Sequence, residues 1–120
     1  MANTQHTTEI EKSKTHILIE SIKYVPHSVA TQTILRKRTG NVCVFAIDTG
    51  EKMVEKTSPF DTFIQIIDGR AEIIIDKIST LLETGQAIVI PAHASHFVIA
   101  NDRFKMISTV IKSGYEENLI

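Results

Sequence analysis

From about residue 29 onward the chain is a succession of short apolar runs broken by turn residues. The runs are ATQTILRKR, NVCVFAID, KMVEK, TFIQIID, AEIIID, QAIVI, HFVIA and FKMISTVIK. Between them stand Thr39-Gly40, Thr49-Gly50, Asp68-Gly69, Thr84-Gly85 and Asn101-Asp102. Runs of this length, rich in β-branched residues and regularly spaced, predict about eight strands and an all-β sandwich or barrel. Asp68-Gly69 reads as the sharpest hairpin signal, because a two-residue turn wants positive φ at both central positions. Several runs are apolar on both faces, such as Ile73-Ile74-Ile75 and Ile88-Val89-Ile90. One face can line a barrel interior, and the other then needs cover from a second sheet or a partner subunit.

Upstream the texture differs. Residues 1–14 are polar and without periodicity, and predict a flexible tail. In 15–28, Leu18, Ile22 and Val25 fall at helical spacing, while Ile17 and Ile19 also fit a short strand. A short helical or extended lead-in is expected, ended by Pro26, with the barrel occupying 29–120.

Composition narrows the function classes. At 120 residues the chain fits one domain, large enough for a core without staples. A net charge of −1 gives no reason to expect nucleic acid or a membrane surface as partner. The lone Cys43 excludes an internal disulfide and fits a reducing compartment. No apolar stretch has the length of a signal peptide core or a spanning helix, so a cytoplasmic location is expected. The basic run Arg36-Lys37-Arg38 reads as a solvated edge or turn.

The turn residues carry a second message in their spacing. Gly50 is followed after five residues by Lys56, then by Ser58, Thr62 and, six residues on, Gly69. Gly85 is followed after five residues by Pro91, then by His93, His96 and Ala100. This spacing resembles the two motifs of the cupin superfamily, G-x5-H-x-H-x3-4-E-x6-G and G-x5-P-x-G-x2-H-x3-N, over roughly residues 29–112. PFDTFIQIIDGRAEI and the late FKM are similar to small stand-alone cupins. The resemblance implies a double-stranded β-helix, or jelly roll, of the RmlC-like type that pairs as a homodimer.

The resemblance also implies a metal site, and here the chain departs from the pattern. The four ligand positions hold Lys56, Ser58, Thr62 and His96. Hydroxyls are poor transition-metal ligands, and a protonated lysine has no lone pair to offer. At ~4 Å two unit charges interact by about 4 kcal/mol at an effective dielectric near 20, and a dication doubles the repulsion. No firmly bound cofactor is therefore expected. The metal-bound alternative would use His96 with His93 through a bent turn, and Cys43.

His93 and His96 lie three apart, which places them on opposite faces of a regular strand. His93 also occupies the glycine position of the second motif, so it reads as a turn residue at the rim. His96 is the candidate acid or base, with a satisfied barrel histidine as the plain alternative. Lys56 reads either as a charge anchor for a carboxylate or phosphate, or as a solvated lysine beside Glu51, Lys52 and Glu55. The inward residues Lys56, Ser58, Thr62, Ile64, Ile66, His96 and Val98 form the expected ligand pocket. Cys43 is expected to be a small buried residue. Three functions fit: binding of a small anionic molecule without metal, an enzyme, or a regulatory module with a vestigial pocket. The enzyme would be a metal-independent isomerase or epimerase using His96, or a metal-dependent isomerase or dioxygenase. Asp61 has the wrong parity to join His96 as a catalytic pair.

Overall fold

In the computed structural model the apolar runs become strands, and their two-residue alternation decides which side chains meet. Residues 4–6 and 8–115 are described. The strands are β1 (Thr4–His6), β2 (Val29–Lys37), β3 (Gly40–Ile47), β4 (Lys52–Lys56), β5 (Asp61–Ile75), β6 (Ile78–Glu83), β7 (Ala87–Ile90), β8 (His96–Ile99) and β9 (Phe104–Ile111). A single 3₁₀ turn, Leu18–Glu20, precedes β2. The strand order is β1-β2-β3-β9-β5-β8-β4, with β6 and β7 also paired to β5. All of these pairings are antiparallel except β1 with β2. No helix among the described residues is long and apolar enough to cross a membrane.

Strand β5 is the axis of the fold. Its first half pairs with β7 and β9, and its second half with β6 and β8. The two runs read separately in the sequence, TFIQIID and AEIIID, are thus one strand of 15 residues. Asp68-Gly69 is not a hairpin. Only Gly69 has positive φ (+82°), and it turns the strand from one sheet into the other, next to a register shift between Ile66 and Asp68. A Cβ at Gly69 would lie 2.5 Å from the Arg103 carbonyl oxygen, so only glycine lets β9 approach this corner. The hairpin lies seven residues on, at Asp76-Lys77, where φ is +46° and +71°. It pairs β5 with β6, a strand the sequence pattern did not predict.

The main core fills the space between the two sheets. Ile47, Ile66, Ile73, Phe104 and Met106 are all nearly or fully inaccessible there. A second cluster sits on the outer face of the β2-β3-β9 sheet. Ala30, Val44 and Ala46 are buried beneath Ile22, with Leu18, Tyr24 and Val25 packed against them. The lead-in segment itself therefore supplies part of the cover that the doubly apolar strands require. Its Leu18, Ile22 and Val25 meet the same sheet face although only three residues adopt helical geometry.

Polar contacts pin this cover down. The buried Lys105 donates from Nζ to the Ile19 carbonyl at 2.5 Å and lies 4.9 Å from the Tyr24 ring centre. The Tyr24 hydroxyl donates to Asp68 at 2.7 Å, and the Arg103 guanidinium stacks over the same ring at 4.8 Å. Burial, then the Asp68 carboxylate that accepts its proton, pushes the Tyr24 phenol well above its ordinary range. Within the expected tail, Thr4–His6 runs parallel to Ala30–Gln32, and Glu9 accepts from the Arg36 N–H at 2.6 Å.

The cover is incomplete. Direct pairing places Leu35, Val42, Thr109, Phe63 and Val89 in one row across five strands of the outer face. Leu35, Phe63 and Val89 in that row remain exposed.

Candidate functional site

The inward positions of β3, β4, β5, β8 and β9 enclose a cavity of about 360 Å³. Strand alternation explains its walls. Cys43 and Phe45 oppose Ser108 and Met106 across the β3-β9 pairing, and Thr62 and Ile64 oppose Val110 and Ser108 across β5-β9. Facing them, Lys56 pairs with His96 and Met53 with Val98 across β4-β8.

All four residues at the motif's ligand positions reach this cavity. Thr62 and His96 are buried, Ser58 is half-buried, and Lys56 is exposed while still lining the cavity. Ile64 and Val98 line it as predicted from parity. Ile66 does not. It is fully buried against Met106 in the core, because β5 bends into the second sheet just beyond it. Sequence reasoning also missed the opposite wall: Asn41, Phe45, Met106 and Ser108, with Lys112 beyond the end of β9. A signal for them existed, since Asn41, Cys43 and Phe45 alternate through NVCVFAID, as do Met106 and Ser108 through FKMISTVIK. Cys43 is buried as expected, yet it faces the cavity, with its sulfur 4.0 Å from the Asn41 side-chain oxygen.

His96 is held in one orientation. Its Nδ1 lies 3.1 Å from the Ala94 carbonyl oxygen. A carbonyl can only accept, so Nδ1 carries the proton and Nε2 presents its lone pair when the ring is neutral. No side-chain nitrogen or oxygen among the described residues is buried without a partner, so Nε2 keeps contact with the cavity space.

His93 plays a different part. Its φ is +72° and its N–H donates to the Ser58 carbonyl at 2.6 Å, which ties the turn after β7 to the loop after β4. Its side chain is exposed and off the cavity wall. The two histidines are therefore on different surfaces, and the bent-turn pairing does not form. Asp61 likewise turns away from His96: its Oδ1 accepts from the Ala92 N–H at 2.8 Å, and its own N–H donates to the Tyr115 hydroxyl.

The donor set does not fit a transition-metal centre. Among the described residues no group of three or more His, Cys, Asp or Glu side chains converges. The cavity's charge points elsewhere. Its lining includes Lys56 and Lys112 and, among the described residues, no carboxylate. Neither lysine has an ion-pair partner among those residues.

No family model matches the sequence, and neither does any curated protein. Solved structures do match. A conserved protein of unknown function from Streptococcus pyogenes superimposes with a TM-score of 0.84 at 28% identity, covering 95% of this chain and 97% of that one. A cupin superfamily protein from Desulfitobacterium hafniense gives 0.82 at 22% identity over 88% and 97%. An RmlC-like cupin from Shewanella frigidimarina gives 0.67 at 13% identity over 74% and 80%. The chain has the fold of the cupin superfamily. Within it, the architecture is the RmlC-like jelly roll that the motif spacing predicted.

Proposed function

We propose that the cavity binds a small organic anion, with Lys56 as its charge partner and no resident transition metal. The observation that carries this reading is the lining: two lysines and, among the described residues, no carboxylate around a space of about 360 Å³. That volume lies in the ordinary range of small-molecule pockets. A carboxylate entering from the Lys56 side would gain a charge-assisted hydrogen bond. The Ser58, Thr62 and Ser108 hydroxyls would then meet ligand oxygens, and His96 Nε2 would accept from a ligand hydroxyl. The apolar remainder, Phe45, Ile64, Val98 and Met106, suits a short carbon skeleton.

The test is a thermal-shift panel of small carboxylates against their methyl esters, on wild-type protein and Lys56→Ala. Carboxylates should raise the melting temperature, esters should not, and Lys56→Ala should remove the difference. Stabilisation that ignores both the charge and Lys56 would sink the reading. So would one equivalent of metal lost in His96→Ala, measured by elemental mass spectrometry on untagged protein.

An enzymatic version rests on the fixed orientation of His96. A neutral imidazole with Nε2 facing a bound ligand can remove a proton next to a carboxylate, and Lys56 would stabilise the charge that forms. Solvent deuterium incorporated into a bound hydroxy acid, and abolished in His96→Ala, would identify this activity.

A further inference from the structure

Beside the cavity lies a shallow, open hollow lined by Arg36, Lys37, Arg38, Asn41 and Lys112. Three of its cations belong to the short basic run that reads, in the sequence, as a solvated edge. The fourth comes from 74 residues further along: Lys112 donates its N–H to the Thr39 carbonyl at 2.8 Å, which fastens the end of β9 to the β2-β3 turn. The shelf is thus assembled by tertiary structure, with four positive charges on a chain whose net charge is −1.

Among the described residues, Glu9 alone offsets part of this charge, through Lys37 and, more weakly, Arg36. Among the described residues, the one carboxylate within ion-pair distance is Glu9, 3.9 Å from Lys37. Glu9 also meets Arg36, but through the backbone N–H, so that guanidinium keeps all its donors. Arg36, Arg38 and Lys112 have no ion-pair partner among the described residues. Asn41 and Lys112 line both the shelf and the cavity, so the two spaces adjoin across these side chains.

We infer that this shelf is a phosphate subsite for the ligand whose other end occupies the cavity, which makes that ligand a phosphorylated small carboxylic acid. The inference rests on the proposed anion-binding role of the cavity for the carboxylate end only. Guanidinium groups match a tetrahedral phosphate with paired, charge-assisted hydrogen bonds, and two arginines flanking a lysine supply them in one place. A phosphate carries more charge than a carboxylate, and four cations balance it better than one.

The shelf is tested separately from the cavity by using inorganic pyrophosphate as probe, followed by calorimetry at low salt on the full chain. Pyrophosphate should bind wild-type and Lys56→Ala alike, and binding should vanish in Arg36→Gln/Arg38→Gln. These are exposed side chains, so the double variant should melt with wild-type protein. Gluconate and 6-phosphogluconate then probe the continuity: the phosphorylated acid should bind roughly tenfold or more tightly, the worth of one charge-assisted hydrogen bond. That gap should close in the double arginine variant, while gluconate binding depends on Lys56 alone. Pyrophosphate binding lost in Lys56→Ala but kept in the arginine variant would overturn the shelf and leave the cavity reading standing. Failure of pyrophosphate to bind at all would also overturn it. An oligonucleotide that binds through Arg36 and Arg38 more tightly than 6-phosphogluconate would overturn the small-molecule assignment. Arginine-dependent pyrophosphate binding without any Lys56-dependent gluconate binding would keep the shelf and remove the cavity reading.

Discussion

Two glycines with nearly the same backbone angle allow the corner of β5 to be weighed. Gly69 has φ +82° and Gly85 has φ +90°, so replacing either by alanine forces a left-handed residue. That cost alone is about 1–2 kcal/mol. At Gly85 it should be the whole cost, because a new Cβ would meet nothing within 4 Å. At Gly69 the new Cβ would lie 2.5 Å from the Arg103 carbonyl oxygen and 3.1 Å from the Phe104 Cβ. Phe104 is fully buried, and the Arg103 N–H is bonded to the Thr49 hydroxyl, so neither neighbour has an easy retreat. Overpacking of that kind adds about 1–3 kcal/mol. Gly69→Ala should therefore lose about 2–5 kcal/mol, against about 1–2 for Gly85→Ala. Urea denaturation followed by circular dichroism measures both losses on one axis. Equal losses in the two variants would refute the claim that close approach of β9, rather than the backbone angle alone, requires glycine at the corner.

Other consequences are as direct. Lys105→Met removes the bond to the Ile19 carbonyl and one cation from the Tyr24 ring; it should cost about 1–3 kcal/mol and speed hydrogen exchange at the Glu20 and Ser21 amides. Unchanged exchange at those amides would show that Lys105 does not hold the lead-in. Asp48 titrates below its ordinary 3.8, held down chiefly by the His27 N–H, then the Thr49 N–H and the Arg103 guanidinium. The Ser79 hydroxyl and the Asn101 amide likewise hold Glu72 below 4.5. Both depressed carboxylates stabilise the fold above those ordinary values and cease to do so as pH falls through the lowered ones. The melting temperature should therefore drop below about pH 4, less steeply in Asp48→Asn; identical slopes would remove Asp48 from the account. His93→Gly relieves a left-handed histidine but frees the unfolded chain, so the two effects should nearly cancel, within about 1 kcal/mol, with carboxylate binding unchanged. Loss of binding would put His93 back in the site. A homodimer would bury the exposed row of Leu35, Phe63 and Val89, and Phe63→Glu should then give a monomer by light scattering; a wild-type monomer would exclude the pairing.

Much of the barrel was legible because its strands are short, β-branched and bounded by turn residues. What escaped has a physical reason in each case. Aspartate before glycine is the habitual hairpin turn, but here tertiary contact with Arg103 and Phe104 uses the glycine to bend a continuous strand. The hairpin it displaced carries Asp76-Lys77, both at positive φ without a glycine to announce it. Strand β6 reads ISTLLE, in which Leu82 alone is buried in the core while Ile78 and Leu81 stay exposed, so no apolar alternation marked it in the pattern. The lead-in's role as cover could not be read from its own residues, since it depends on where β3 and β9 leave Val44 and Lys105. The shelf's fourth cation escaped for the same reason, since it arrives through pairing and not through sequence proximity; the far wall's alternation was visible, but not the pairing that turns it toward the cavity.

The motif spacing survived while its chemistry did not, and the backbone explains why. Gly50, Gly69 and Gly85 all sit at positive φ, and so does His93, which stands where the paired motifs have their fourth glycine. These positions shape the chain: they turn it out of β3, through the corner of β5, into β7 and back toward β8. Altering them strains the fold whatever the cavity contains. The residues at the motif's metal-ligand positions between them, Lys56, Ser58 and Thr62, close no turn with their side chains, except for a local bond from the Phe60 N–H to the Ser58 hydroxyl oxygen. Their identities can therefore change without straining the backbone. A spacing match of this kind is therefore evidence about the barrel, and the residues inside it must be read separately. Read that way, an exposed lysine, three hydroxyls and one oriented imidazole suit the anion site proposed above, and the same separation predicts that restoring a metal would take more than one substitution. Lys56→His alone would leave two imidazoles and two hydroxyls, short of a transition-metal donor set, and zinc bound tightly by that single variant would show that the cavity is closer to a metal centre than its side chains imply.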